Sequence, residues 1–552
     1  MTLMTRLVTG LIPRWLGMGP ATTKHTVTRA VPVPMRDGVA LLTDHYAPMR
    51  AARSAEPAGT LLVRSPYGRD GLEVALTAGA YAARGHHVVV QSARGTYGSG
   101  GEFVPGRSEV DDGADTVAWL RRQPWFTGRF ATVGASYLGF TQWALLMDPA
   151  PELATAVITV GPHDFGEVPW GSGSFALSDL LSWSFMVAHQ EDPGMIRSLI
   201  RSVTSRRRVA SAMNALPLAA AGRALLGGRA TWYESWLEHP DVDDEFWAPL
   251  RLHAALDRVQ VPVLLIAGWQ DVFLTQTVAQ YRRLHERGVD VALTIGPWTH
   301  MQSGLHGARR ITRERHDWLA EHLSDRPSRR SSPVRVYVTG GGGWRDMSSW
   351  PPPGQDRTLY LGAGARLSYD DATSALESSS FVYDPADPTP TVGGRLLSSD
   401  GGYRDDQRLA RRADVLTFTG SALSADIEVM GSPVVELFHT TDVAHADVFV
   451  RLSEVDDAGR SRNVSDGYVR LDADRPSPLR IELDPAAHRF RAGRRIRLMI
   501  AGGSHPRFAR NPGTGDPPST ATRLARCVHT VDHGGHKRSR LVLPVSIPPD
   551  AR

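Results

Sequence analysis

The sequence predicts an α/β domain that is interrupted by a helical insertion and followed by an all-β domain. From about residue 25 to 165, strand and helix patterns alternate in the way that βαβ units do. From about 166 to 250, strand signals are lacking, and Leu, Ala, Trp and Arg recur at helical spacing, for example over 177–189. After residue 333, short alternating runs are separated by Gly, Pro, Asp and Ser turns.

The boundaries follow from these changes of pattern. The polar, proline-punctuated stretch 324–333 predicts a linker. The expected organisation is an N-terminal extension (1–24), an α/β domain (25–165 and 251–324), a helical cap (166–250) and a C-terminal β-sandwich, most typical of a jelly roll (334–552).

Composition favours a large globular enzyme and excludes several other classes. The chain has 552 residues, 41% of them hydrophobic, and a formal net charge of only +4. Arginine clusters such as 206–208 lack the interleaved aromatic residues that stack on bases, so nucleic-acid binding is not expected. The single cysteine, Cys527, excludes an internal disulfide and a multi-cysteine metal site, and we expect no metal or cofactor.

The sequence indicates no membrane-spanning segment, since no run approaches roughly 20 apolar residues. Residues 1–20 have no uninterrupted apolar core and no clear cleavage site, so a cytoplasmic protein is expected. An interfacial helix over 3–18 and a homodimer are left open.

The run 130–139 brings a β-prone segment up to small residues packed around Ser136. This pattern predicts a nucleophile elbow, in which a sharp strand-to-helix turn lifts a serine hydroxyl above the sheet. The backbone N–H of Tyr137 would then lie at a helix N-terminus, where it can donate to an oxyanion. Gly139 comes one position later than in G-x-S-x-G, and a serine in a tight structural turn is the alternative interpretation.

Two further strand ends supply an acid and a base. The apolar run 261–268 stops just before Asp271, and the strand 291–295 leads into His300. Taken singly, Asp271 could cap the following helix and His300 could lie on a polar loop. Together with Ser136, they give the chain order Ser, Asp, His of the α/β-hydrolases. The sequence therefore predicts a Ser136–His300–Asp271 triad.

A second oxyanion donor is expected on another loop. The strand 60–63 leads into the stretch 64–67, at the position where α/β-hydrolases keep this donor. Tyr67 could supply its phenol there, or its ring could simply pack on the loop.

These residues resemble the CocE/NonD family of serine hydrolases, which includes cocaine esterase and the X-prolyl dipeptidyl-peptidases. In that family the serine motif is G-x-S-Y-x-G, which accounts for Gly139, and a tyrosine hydroxyl serves the oxyanion hole. The resemblance gives that role to Tyr67. Ser92 stands where the family usually has an acidic residue. The segments that carry the resemblance are 35–38, 41–46, 64–67, 91–103, 119–125, 134–137, 268–271, 296–300, 381–385, 390–394 and 463–467.

The resemblance implies an esterase or acylase that acts on a small-molecule ester or amide. The chain is similar in size to cocaine esterase and lacks the extra N-terminal domain of the large X-prolyl peptidases. An X-prolyl dipeptidyl-peptidase or an α-amino-acid ester hydrolase is the alternative, and either would need carboxylates for a free ammonium group. Glu191, Asp192 or the stretch 241–245 could supply them, or could be solvated acidic turns.

Aromatic residues near the triad and in the cap are candidates to line the acyl pocket, although ordinary helix packing explains each of them equally well. They are Trp170, Phe273 and Trp298, together with Trp183 and Phe185.

A second alternative is a non-catalytic protein that uses its jelly roll to bind a ligand such as a carbohydrate.

Overall fold

The computed structural model describes residues 10–49, 58–69, 74–193, 195–370, 375–471 and 476–547. Its first sheet has ten strands in the order β1-β2-β4-β3-β5-β6-β7-β8-β9-β10. Pairing is parallel from β4 through β9 and antiparallel at both margins. The strands are β1 His25–Pro34, β2 Ala40–Pro48, β3 Thr60–Ser65, β4 His87–Ser92, β5 Phe130–Ala135, β6 Leu153–Thr159, β7 Val263–Gln270, β8 Val291–Thr299, β9 Val334–Val338 and β10 Gly343–Met347.

Apolar side chains cover this sheet on both faces, as a parallel sheet requires. Successive residues of β7 alternate between two hydrophobic clusters, with Val263 and Leu265 in one and Leu264 and Ile266 in the other. Because neighbouring strand residues point to opposite faces, the two clusters are the two faces of the sheet. Outside the insertion, the helices are α1 Ile12–Trp15, α2 Ala80–Ala82 after a π-turn Ala75–Gly79, α3 Glu109–Leu120, α4 Tyr137–Leu145, α11 Leu274–Glu286, α12 His300–Ser303 and α13 Ala308–His322.

The segment between β6 and β7 is helical, as expected from its spacing of apolar residues. Its side chains bury several large aromatic rings, among them Tyr233, Trp236 and Trp247. The helices are α5 Glu167–Trp170, α6 Leu177–His189, α7 Met195–Asn214, α8 Leu218–Leu226, α9 Trp232–Glu238, a 3-10 helix Glu245–Leu250 and α10 His253–Arg258.

The remaining strands form an all-β domain around its own hydrophobic cluster, which confirms the predicted fold class. Strands β12 and β14 are parallel to each other, while the other strand-to-strand ladders that the structure describes in this domain are antiparallel. The strands are β11 Gly354–Gly362, β12 Arg366–Ser368, β13 Glu377–Tyr383, β14 Val415–Gly420, β15 Ile427–Gly431, β16 Val434–Thr441, β17 Ala446–Val455, β18 Ser461–Leu471, β19 Leu479–Glu482, β20 Ala486–Phe490, β21 Arg495–Ala501, β22 Cys527–His533 and β23 Arg540–Ser546. Short 3-10 helices lie at Ala363–Ala365 and Leu409–Arg411.

One strand lies in a different sheet from the one expected. The sequence placed 334–338 in the β-sandwich, whereas in the structure β9 pairs in parallel with β8 of the first sheet. The alternation of Val334, Val336 and Val338 predicts a strand, but it carries no information about which sheet the strand joins.

Over the described ranges, no helix combines the length and the apolar character needed to cross a membrane.

Candidate active site

Ser136 occupies a strained turn between β5 and α4. Its backbone has φ 60° and ψ −124°, a conformation that a residue with a side chain rarely adopts and that is characteristic of functional sites. The turn needs small neighbours. A Cβ on Gly134 would lie 2.4 Å from the Cβ of Leu138, and a Cβ on Gly139 would lie 2.6 Å from the Cα of Gly161.

Asp271 and His300 each follow directly on a strand, β7 and β8 respectively. Their side chains meet in a hydrogen bond of 2.6 Å between His300 Nδ1 and Asp271 Oδ1, and both are buried. The second oxygen, Asp271 Oδ2, accepts the backbone N–H of Phe273 at 3.2 Å. Thr299 and Gln302 form a capping box that fixes the start of α12, which His300 begins.

A cavity of about 370 Å³ opens beside Ser136. The α/β domain, the helical insertion and the β-domain all contribute to its wall. The ring of Phe273, a wall residue, packs edge-on against His300 with 5.4 Å between ring centroids, so the buried Asp–His pair lies next to this cavity. Residues of the wall include Tyr67, Ser136, Tyr137, Phe165, Glu167, Asp179, Trp183, Trp236, Phe273, Arg395, Leu397, Asp466, Asp484 and Arg507.

Both tyrosines proposed for the oxyanion hole lie at this wall. Trp183 donates its indole N–H to the hydroxyl oxygen of Tyr67 at 2.9 Å. The Tyr137 phenol donates to Glu109 at 2.8 Å and accepts the Gly106 N–H at 2.9 Å. Burial, followed by the charge of Glu109, raises the pKa of Tyr137 well above 10. Tyr137 is also the first residue of α4, so its backbone N–H has no acceptor within that helix.

Of the predicted acyl-pocket residues, the structure brings Phe273 and Trp183 to the cavity but not Trp170, Phe185 or Trp298. Trp170 is buried and donates its indole N–H to the carbonyl of Trp236 at 2.7 Å. Trp298 is buried on the far face of the sheet, where it packs against Trp344. The sequence shows that these residues are aromatic, but it does not show which face of the fold their rings occupy.

The aromatic part of the wall combines the predicted Trp183 with the rings of Tyr137, Trp236 and Phe165. Trp183 stacks on Tyr137 with a centroid separation of 6.3 Å and on Trp236 with 6.0 Å. Phe165 stacks on Trp236. Phe185, by contrast, is buried against His189 and does not line the cavity.

Carboxyl groups at the wall were missed by the sequence reasoning. Asp179 is buried, and burial raises its pKa to about 6. Its Oδ1 accepts the backbone N–H of Leu397 from the β-domain at 2.8 Å. Burial also raises the pKa of Glu167. The signal that could have revealed Asp179 is an acidic residue one turn of helix before Trp183, within the helical stretch 177–189.

The acidic residues singled out from the sequence lie elsewhere. Glu191 accepts the backbone N–H of Tyr97 at 2.9 Å, and Asp192 pairs with Arg229 at 2.6 Å. In the stretch 241–245, Asp244 caps the 3-10 helix that begins at Glu245.

One group of side chains has the composition of a cation site. Ligand atoms of Asp164, Glu167 and His253 lie within 4.8 Å of one another, and this donor set suits a divalent transition metal. Asp164 Oδ2 and His253 Nε2 are also only 2.7 Å apart, and this hydrogen bond raises the pKa of His253. The ion pair thus satisfies both partners without a metal.

Comparison with known proteins places this architecture in a family. Residues 37–302 match the family described as X-Pro dipeptidyl-peptidase (S15 family), and residues 328–542 match the X-Pro dipeptidyl-peptidase C-terminal non-catalytic domain. The chain is 28% identical over 577 residues to the cocaine esterase of Rhodococcus sp. (strain MB1 Bresler), an alignment that covers 94% of this chain and 99% of that protein.

Two solved structures share the fold across both domains. An aminopeptidase from the marine sediment archaeon Thaumarchaeota archaeon superposes with a TM-score of 0.79 at 22% identity, covering 96% of this chain and 98% of that chain. An alpha-amino acid ester hydrolase superposes with a TM-score of 0.78 at 23% identity and the same coverage of 96% and 98%. The chain belongs to the CocE/NonD family of serine hydrolases, the group of cocaine esterase and the X-prolyl dipeptidyl-peptidases.

Proposed function

We propose that this serine hydrolase cleaves a carboxylic ester or amide through an acyl-enzyme on Ser136. The observation that carries the proposal is the buried pair of His300 and Asp271, joined at 2.6 Å, beside a cavity that opens at Ser136. A serine hydroxyl needs a base to become a nucleophile, and an imidazole oriented by a carboxylate is the base that such sites use.

The steps follow from these roles. As Ser136 Oγ attacks the carbonyl carbon, His300 takes the hydroxyl proton and a tetrahedral oxyanion forms. The oxyanion then collapses, the bond to the leaving group breaks, and His300 returns the proton to the departing oxygen or nitrogen. Water repeats the sequence on the acyl-enzyme, which releases the acid and restores Ser136. Asp271 holds the imidazole in one tautomer and stabilises the imidazolium.

Two donors serve the oxyanion in this proposal, the backbone N–H of Tyr137 and the phenol of Tyr67. The contact with Trp183 makes the Tyr67 hydroxyl a better donor than an isolated phenol, because Trp183 donates to its oxygen at 2.9 Å. A hydroxyl that accepts a hydrogen bond is polarised and donates its own proton more strongly.

The similarity to cocaine esterase over 94% of the chain favours an ester as the substrate. Specific carboxyls at the wall favour a second candidate, the ester or amide of an acid that carries an amino group, as in an α-amino-acid ester or an X-prolyl peptide. Asp179 and Glu167 both line the cavity with Ser136, and a carboxylate there would pair with an ammonium group.

The test is initial-rate hydrolysis by the wild type and by Ser136→Ala of p-nitrophenyl butyrate, a benzoyl ester, an amino-acid ester and Ala-Pro-p-nitroanilide. We expect turnover of the simple esters and its loss in the variant. Ser172→Ala is the matched control, since Ser172 lines the same cavity without following a strand of the sheet. Cleavage confined to Ala-Pro-p-nitroanilide or the amino-acid ester would establish the second candidate instead.

Labelling by a fluorophosphonate separates an enzyme from a protein that only binds ligands. We expect wild type and Ser172→Ala to be labelled and Ser136→Ala to remain unlabelled. Equal labelling of wild type and Ser136→Ala would contradict the acyl-enzyme proposal.

A further inference from the structure

A loop of the β-domain, residues 392–402, reaches into the active-site region. Its neck is closed by two backbone hydrogen bonds, from Gly394 N to Gly402 O at 2.9 Å and from Gly402 N to Gly394 O at 2.8 Å. Within the loop, Arg395 and Leu397 both line the cavity that contains Ser136. The loop is therefore part of the β-domain in the sequence, but its side chains line the cavity at Ser136.

This loop contacts the immediate neighbours of the proposed acid and base. Arg395 Nη1 donates to the carbonyl oxygen of Val272, the residue after Asp271, at 3.2 Å. Gly402 lies against Thr299, the residue before His300, so closely that a Cβ on Gly402 would be 3.0 Å from Thr299 Cγ2.

The Arg395 side chain is itself held rigidly. Its Nε and Nη2 engage the two carboxylate oxygens of Asp484 at 2.7 and 2.6 Å. A guanidinium that is bound through both Nε and Nη2 has a fixed orientation, which sets the direction in which Nη1 donates. Here that donor, Nη1, points to Val272.

A buried ion pair between Arg451 and Asp466 holds the start of the loop. Arg451 pairs with Asp466 at 2.7 Å and donates to the carbonyl of Val392 at 2.6 Å. Asp484, the partner of Arg395, donates its backbone N–H to the carbonyl of Asp466 at 2.8 Å. Buried charges of this kind are tolerated only in well-defined geometry, so we expect the residues that hold the loop, Arg451 and Asp466, to be rigid.

We propose that Arg395 is a positioning residue, which holds the segment 271–273 so that Asp271 stays aligned with His300. The proposal rests on the triad assigned above. The segment is short, and its other described backbone–backbone bonds are local ones, from Asp271 N to Gly268 O at 3.0 Å, from Leu274 N to Asp271 O at 3.2 Å and from Thr277 N to Phe273 O at 2.9 Å. Arg395 ties its middle residue to a different domain. The β-domain, which matches a family described as non-catalytic, thereby helps to position the proposed acid.

The experiment compares Arg395→Met, Arg395→Lys and wild type by kcat and KM on the preferred p-nitrophenyl ester and by the rate of fluorophosphonate labelling. A displacement of about 1 Å at a reacting group costs on the order of 100-fold in rate. We expect Arg395→Met to lower kcat and the labelling rate by about 10- to 100-fold while KM changes less than about threefold. Arg395→Lys should recover part of the loss, because its ammonium can still bridge Asp484 and Val272.

Arg460→Met is the matched control. Arg460 pairs with Asp456 at 2.7 Å in the same domain, but its side chain is 76% exposed. Its kcat and labelling rate should equal those of wild type. Arg395→Met leaves the carboxylate of Asp484 with only the more distant Arg507, at 3.7 Å. If this single variant is unstable by thermal unfolding, the double variant R395M/D484N, which also removes the charge of Asp484, tests the role of Arg395.

The outcomes separate this proposal from the triad itself. Labelling that survives in Ser136→Ala overturns the triad and the role of Arg395 together. Labelling that is lost in Ser136→Ala but unchanged in folded Arg395→Met, or in the double variant, overturns the role of Arg395 alone. A raised KM with unchanged kcat would also overturn it, since Arg395 would then be a substrate contact.

Discussion

Replacing Asp179 with Asn should stabilise the folded protein at neutral and alkaline pH. Burial raises the pKa of Asp179 from its ordinary value of 3.8 to about 6. A difference of about two pH units between the folded and unfolded states corresponds to about 3 kcal/mol. Asn removes the charge, and its side-chain oxygen still accepts the Leu397 N–H that Asp179 Oδ1 accepts at 2.8 Å.

The sign follows from proton binding. Between about pH 4 and pH 6 the folded state keeps the Asp179 proton while the unfolded state releases it, so the free energy of unfolding falls as pH rises through this window. The Asn variant has no such proton. The advantage of Asp179→Asn over wild type should therefore increase with pH, by about 1.4 kcal/mol between pH 5 and pH 8.

The assay is urea unfolding followed by circular dichroism at pH 5, 6.5 and 8. The matched control is Asp457→Asn, at an exposed position of the β-domain, which should leave the difference from wild type independent of pH. A difference between Asp179→Asn and wild type that stays constant over the three pH values would refute the reasoning, as would a variant that is less stable at pH 8.

Three further outcomes test the active site. Asp271→Asn should lower kcat by about 10⁴-fold, because the amide no longer fixes the His300 tautomer, and a loss below tenfold would count against the triad. Tyr67→Phe should lower kcat by roughly 10²- to 10³-fold with little change in KM, as the loss of one oxyanion donor does; an effect confined to KM would make Tyr67 a binding residue. Treatment with EDTA should leave the initial rate unchanged, since the proposed steps use no metal; a loss restored by Zn²⁺ or Mn²⁺ would instead assign a role to Asp164, Glu167 and His253.

The sequence was most informative where one residue follows a buried parallel strand. Such strands are continuous apolar runs that end abruptly, so the strand ends before Asp271 and His300 could be located from the sequence. The helix α6 was also predicted at its observed bounds, because apolar residues recur there at the helical period.

It was harder to predict which face of a helix lines the cavity, or which sheet a strand joins. Trp170 and Trp183 stand in similar apolar surroundings in the sequence, yet only Trp183 lines the cavity. It shares one face of α6 with Asp179, four residues earlier, and both side chains reach the cavity wall. Which face of a helix points inward depends on what packs against it, and for α6 the β-domain segment near Leu397 is one such partner.

The residues proposed for the chemical step and those of the cavity wall are therefore organised differently. Ser136, Asp271 and His300 follow strands of a single sheet, so the hydrogen bonding of that sheet fixes their spacing. The wall combines Asp179 from the insertion, Phe273 from the α/β domain and residues 395–397 from the β-domain. Substitutions at Asp179 or Leu397 can alter what the cavity accepts without moving the strand ends, whereas Arg395 is proposed above to hold the segment that follows β7. The same proposed triad is thus compatible with an ester, an amino-acid ester or a peptide, and only the wall, together with its Asp179 charge, distinguishes among them.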